Sequence, residues 1–281
     1  MPEVDKLMRG LANSRWEARR AASEALVNMG SPATPLLIGA LKDGNPDVRW
    51  TAIRALGKLG CPTAVKPISL ALHDGDSSVR RTAAEALGKL GDAKATVALI
   101  DAASDADWSV RQAAVEALGE VGRAKAMNTV VAALGDGYSD VRQAAVVAAV
   151  RIGRTAVGPL VKALSDKNPD ARRGAAEALG RLKEPHSIPA LMRALRDENA
   201  KVRQSAVEAL GKFGNSTEQI VLMLNDVNSS VRWAAARALG ETGDTRAIGP
   251  LTTAFKDANS GVRWAAYKAV DSICKRHSAQ Q

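Results

Sequence analysis

An arginine returns along this chain at Arg19, Arg49, Arg80, Arg111, Arg142, Arg172, Arg203, Arg232 and Arg263, at intervals of 29 to 31 residues. Six residues before it stands an aspartate, from Asp43 to Asp257, in every copy but the first, where Asn13 takes the place. Three and six residues after it, all nine copies carry alanine. A fixed period of this length means that each copy is one supersecondary unit, able to bury its apolar face only against the next copy. A chain of 281 residues would otherwise divide into two compact domains. The repetition instead predicts one elongated stack, with repeats at about 1–30, 31–60, 61–91, 92–122, 123–153, 154–183, 184–214, 215–243 and 244–281.

Each repeat reads as two antiparallel helices. In the first, apolar residues fall four apart, as in Leu37 and Leu41, Ile68 and Leu72, Leu160 and Leu164, or Leu191 and Leu195. Prolines such as Pro35, Pro159, Pro189 and Pro250 suit its first turn, where no amide donor is needed. The second helix starts four residues before the arginine, where Asn45, Asp76, Asp107, Asn168, Asn199, Asn228 and Asn259 can cap free amides. Glycine eleven residues after the arginine, including Gly30, Gly60, Gly91, Gly122, Gly153, Gly214 and Gly243, marks its end as a left-handed cap. Repeat six has Lys183 there, a change expected to alter the stacking locally, and repeat eight is the shortest.

The pattern D-x4-V-R-x2-A-x2-A-L-G resembles the HEAT-like repeat of the phycobilisome-lyase type, over about residues 4 to 275. The fold this implies is all-α, a right-handed α-solenoid of about nine two-helix repeats. The family serves chromophore lyases, adaptors, transport factors and nucleic-acid binders, so fold alone leaves the function open.

A net charge of +9 favours an acidic partner: an acidic protein, a nucleic acid or an anionic surface. Cys61 and Cys274 lie in distant repeats at non-equivalent sites, which argues against a disulfide framework or metal cluster and for a reducing, cytoplasmic setting. No transmembrane segment is expected, because no run of 18 apolar residues occurs.

The recurrent Asp and Arg invite a reading as an ion-binding or phosphate-binding ladder. A carboxylate that accepts turn amides while facing a guanidinium serves better to fix the same turn in every copy. The pairs Gly57 and Gly60, Gly88 and Gly91, Gly119 and Gly122, and Gly211 and Gly214 match the GxxG of a nucleic-acid grip. Placed at helix ends without accompanying strands, they read as punctuation.

On the second helix the exposed positions, counted from the arginine, are −3, −2, +1 and +5, and in a HEAT-like array they should line a concave strip. All five tryptophans fall there: Trp16 and Trp108 at −3, and Trp50, Trp233 and Trp264 at +1. Wherever tryptophan is at +1, a cation is at +5: Arg54, Arg237 and Lys268. Elsewhere +1 and +5 form pairs such as Arg20 with Glu24 or Arg81 with Glu85, which satisfy one another on the helix surface. The best candidate site is therefore Trp233, Arg237, Trp264 and Lys268, whose cations have no evident carboxylate at helical spacing. Trp50 and Arg54 form a second contact, and Trp16 and Trp108 are as well suited to packing between helices.

Catalysis finds little support. His73, His186 and His277 occupy unrelated positions, none begins a His-Glu pair of the di-iron type, and no serine or cysteine has a recurring base partner. The expected function is a nonenzymatic scaffold, without a cofactor, that binds a protein or peptide through the concave strip. A bilin lyase-like subunit is one alternative. A nucleic-acid binder is the other, although nine acidic residues against seven basic ones on the strip do not make a phosphate track.

Overall fold

The computed structural model describes residues 2–13, 15–121 and 124–278. Among these residues the chain is helical throughout, with eighteen α-helices in nine antiparallel pairs. The pairs are α1 (Pro2–Leu11) with α2 (Trp16–Met29), α3 (Thr34–Ala40) with α4 (Pro46–Leu59), and α5 (Val65–Leu70) with α6 (Ser77–Leu90). Next come α7 (Thr96–Ala102) with α8 (Trp108–Val121), α9 (Met127–Ala133) with α10 (Ser139–Ile152), and α11 (Val157–Ala163) with α12 (Pro169–Leu182). The last are α13 (Ile188–Ala194) with α14 (Ala200–Gly211), α15 (Thr217–Leu222) with α16 (Ser229–Thr242), and α17 (Ile248–Thr253) with α18 (Ser260–Ser278).

Two compact units form, Met1–Ala133 with Gly137–Ile152, and Leu134–Asp136 with Gly153–Gln281. In each, second helices lie side by side as an α-solenoid, with the shorter first helices packed against them. The core of each unit is made of one or two large residues per helix, such as Leu37, Leu56, Ile68 and Leu87 in the first unit and Leu160, Leu179, Leu210 and Leu251 in the second, all fully buried.

The seven second helices that have Asn or Asp four residues before the arginine begin with the expected side-chain cap, whereas α2, with Arg15 at that position, has none. Asp76 accepts from the amides of Ser78 (2.8 Å) and Val79 (3.1 Å), Asn45 from Asp47 (2.9 Å), and Asn259 from Gly261 (2.9 Å). The ends are also as expected at Gly60, Gly91 and Gly243, which sit in the left-handed region. Gly30 is different, with φ 72 and ψ −145, and Gly122 lies outside the described residues. Lys183 takes the left-handed conformation despite its side chain (φ 53, ψ 35), so the turn that ends α12 keeps its form.

In the pairs Gly57 and Gly60, Gly88 and Gly91, and Gly211 and Gly214 the two glycines do different work, and only the second, with positive φ, is punctuation. The first is where neighbouring second helices touch. A Cβ on Gly119 would lie 2.7 Å from Ala148 Cα, and one on Gly180 would lie 2.7 Å from Ala209 Cα. The partner is the alanine six residues after the arginine of the following repeat, and the contact accounts for alanine at Ala86, Ala117, Ala148, Ala209, Ala238 and Ala269.

The arginine and aspartate act between repeats. Arg80 donates from Nε and Nη2 to both carboxylate oxygens of Asp105 in the next repeat (2.7 and 2.9 Å), and from Nη1 to the carbonyl of Asp74 in its own turn (2.8 Å). Asp105 Oδ1 in turn accepts from the Asp107 amide (2.8 Å). The same bidentate pair joins Arg49 to Asp74 in the first unit, and Arg172 to Asp197, Arg203 to Asp226 and Arg232 to Asp257 in the second. Arg19 pairs instead with Asp47 (3.1 Å). The planar guanidinium fork thus clamps one turn to the next with fixed geometry.

Within Ser139–Ala163 the most apolar window of 18 residues has a mean hydropathy of 1.5, but Gly153 (φ 80) divides the span into α10 and α11, of 14 and 7 residues. Neither is long enough to cross a bilayer, which takes about 20 residues.

Candidate aromatic-basic interaction surface

The exposed side of each second helix is one row of residues four apart, at −3, +1, +5 and +9 from the arginine. Every tryptophan in that row except Trp108, which Gln112 follows, is followed one turn later by a cation, and in the structure the cation folds back over the ring. Arg54 lies 4.5 Å from the Trp50 ring centroid, Arg237 5.1 Å from Trp233, and Lys268 5.9 Å from Trp264. A fourth pair escaped the sequence reading: Arg20 sits 5.9 Å from Trp16. It uses the same four-residue spacing shifted one turn toward the helix start, which is the signal that would have found it.

In the second unit, Trp233, Arg237, Trp264 and Lys268 line one cavity of about 190 Å³ between α16 and α18. Trp264 is 60 % exposed, whereas Trp233 is half-buried. The charges there are largely taken up. Arg237 is not without a carboxylate, contrary to the expectation from spacing: it faces Glu241 on its own helix (3.9 Å) and Glu208 on α14 (3.5 Å). Arg276 also lines the cavity, but donates to the carbonyls of Glu241 (2.8 Å) and Gly240 (3.0 Å) at the end of α16. Lys268 has no ion pair among the described residues.

In the first unit, Trp16, Arg20, Trp50 and Arg54 share a cavity of about 300 Å³ with Lys58. Trp50, Arg54 and Lys58 also line a neighbouring cavity of about 200 Å³, completed by Arg81, Glu85 and Lys89 on α6. Lys58 and Lys89 continue the row at +9, a position not counted on the exposed strip. Glu24 is hydrogen-bonded to Arg20 (2.8 Å), and that bond, with the nearby positive charge, holds its carboxyl below the usual range. Trp108 stands apart. It stacks on Tyr138 of the next repeat, with ring centroids 5.7 Å apart and planes 12° from parallel.

The pairs expected to satisfy themselves on the helix surface do so. Arg81 and Glu85 are 3.6 Å apart, Gln112 donates to Glu116 (2.9 Å), and Gln204 donates to Glu208 (3.1 Å). Both cysteines are free thiols, and among the described residues no cluster of histidine, cysteine and carboxylates is placed to hold a metal ion.

The family profile for HEAT repeats matches residues 4–69, 33–105, 96–159, 157–223 and 217–281, and the chain belongs to the HEAT-repeat family. No curated protein matches the sequence. Among solved structures, 98 % of this chain superposes on 38 % of Kap121p with a TM-score of 0.73 at 14 % identity. It covers 94 % of its length against 98 % of the E. coli protein YibA, with a TM-score of 0.50 at 22 % identity. It is also similar to the CpcE and CpcF complex of phycocyanin lyase from Nostoc sp. PCC7120, over 85 % of this chain and 94 % of that one, at 26 % identity and a TM-score of 0.45.

Proposed function

We propose that this protein is a nonenzymatic scaffold that binds a protein or peptide through the exposed row of its second helices. The observation that carries this reading is the cavity shared by Trp233, Arg237, Trp264 and Lys268, which two aromatic rings from adjacent repeats line, each beneath a cation. A tryptophan exposed on a repeat surface contributes little to its own core and offers a partner a large apolar area at small entropic cost. The Trp50 and Arg54 cluster is a second contact of the same chemistry.

The test is capture from a lysate, with part of the lysate treated with nuclease, using the unmodified chain beside Trp233→Ala/Trp264→Ala. Bound protein, nucleic acid and visible absorbance are read together. A protein captured by the first and lost by the folded double variant is the expected result. Equal capture by both would overturn the site. Nucleic acid held at low salt and shed at moderate salt would replace the reading with an electrostatic one, and a bound pigment would replace it with a chromophore-handling one.

A further inference from the structure

The exposed row of the first unit changes sign along its length. Over α2, α4 and α6, the two adjoining cavities are lined by Arg19, Arg20, Arg54, Lys58, Arg81 and Lys89, against Glu24 and Glu85 alone. Glu24 and Glu85 neutralise Arg20 and Arg81, and Asp47 takes Arg19. Arg54, Lys58 and Lys89 are left without an ion pair among the described residues, beside the rings of Trp16 and Trp50. Over α8 and α10 the row reverses. A cavity of about 620 Å³ there is lined by Glu85, Glu116, Glu120 and Asp140, with Lys89 and Arg151 as its cations. Arg151 is held by Glu120, and Glu116 accepts from the neutral Gln112, so Glu116 and Asp140 are left without an ion pair among the described residues.

We infer that this row binds an extended peptide of block charge, with an acidic run over repeats one to three and basic residues over repeats four and five. The inference rests on the protein-binding reading above and assigns the partner's chemistry at the Trp50 and Arg54 contact. Second helices packed about 10 Å apart make the basic part about 20 Å long, room for about six extended residues at about 3.3 Å each. A carboxylate can bond the outer edge of a guanidinium whose inner face rests on tryptophan, as at Arg54 over Trp50. Single-stranded nucleic acid fits less well. Its backbone is anionic throughout and would run from the basic part onto the carboxylates of α6, α8 and α10.

The test uses the full chain and two labelled peptides of equal composition, one with about six glutamates followed by about six lysines, the other with the two alternating. The block peptide should bind at least about tenfold more tightly, and Arg54→Glu/Lys58→Glu should abolish that preference. Both side chains are exposed, so the variant should fold, which its helicity verifies. Lys256→Glu, an exposed charge reversal outside the row, should leave the preference unchanged. Equal binding of the two peptides, or a preference that survives the charge reversal, overturns the inference. If the C-terminal cluster still captures a protein, the scaffold reading stands without it. An oligothymidylate that binds more tightly than the block peptide and displaces it would overturn the inference in favour of nucleic acid.

Discussion

Arg203 and Asp226 are 23 residues apart, two fewer than Arg172 and Asp197 or Arg232 and Asp257, yet the two bonds between them, 2.7 and 2.8 Å, match those of the longer pairs. The shortening in repeat eight is absorbed upstream. Helix α14 stops at Gly211 after 12 residues, where most second helices run for 14, and α15 begins directly after Ser216, without the 3₁₀ turn that precedes most first helices. The clamp between turns therefore sets the register of the stack, and the connections adjust to it.

Removing that clamp should be costly. Arg203→Ala leaves Asp226 partly buried, with its amide bond to Asn228 intact but without its guanidinium. Bonds to charged groups are worth about 1.5 to 3 kcal/mol, so a loss of about 2 kcal/mol is expected. Urea unfolding followed by far-ultraviolet circular dichroism measures it. A change within about 0.5 kcal/mol, the range of ordinary surface substitutions, would show that the pair is ornamental.

The clamp also predicts how stability depends on pH. Burial alone would raise the carboxyls of Asp105, Asp197 and Asp226, but the arginine and amide hydrogen bonds outweigh it and hold each below the ordinary value. At Asp257 the Arg232 bond is itself the largest influence and acts in the same direction. A carboxyl whose folded pKa is depressed stabilises fully above its unfolded value, about 3.9, and loses that contribution as pH falls through the folded value. Melting temperatures should thus hold steady down to about pH 4 and then drop. Asp197→Asn should melt lower at neutral pH and fall less steeply in acid.

The contact between Gly180 and Ala209 predicts an asymmetry among glycines. Gly180→Ala places a methyl 2.7 Å from the neighbouring helix and should cost about 1 to 3 kcal/mol. Gly39→Ala, in a helix with nothing within 4 Å of the added carbon, should stabilise by about 1 kcal/mol. Thermal unfolding of the two variants gives the signs directly, and matching signs would disprove the assigned contact.

Lys183 offers a gain. An L-residue in the left-handed region costs about 1 kcal/mol or more, which glycine avoids. Lys183→Gly should raise stability by about 0.5 to 1 kcal/mol, because part of the relief is offset by the freer unfolded chain. No change, or a loss, in a denaturant midpoint would mean that the lysine side chain contributes elsewhere.

The candidate surface was legible to the extent that it follows from one helix at a time. Trp50 with Arg54, Trp233 with Arg237 and Trp264 with Lys268 could be read as pairs because four-residue spacing places both members on the same side of a helix. The same rule would have found Trp16 with Arg20. It could not show that Glu208, on a neighbouring helix, reaches Arg237, nor that Arg276 turns back to cap α16.

The sequence by itself determined the period, the two helices of each repeat, their caps and the row of exposed positions, because these depend on local hydrogen bonding and a 3.6-residue turn. Tertiary structure alone decided what lies across each repeat junction. It set Arg80 against Asp105 rather than the aspartate of its own turn, seated Gly119 on Ala148, and left Trp264 exposed while half-burying Trp233. A repeated sequence offers every repeat the same partners, and only the stacking of helices about 10 Å apart selects which of them come within reach.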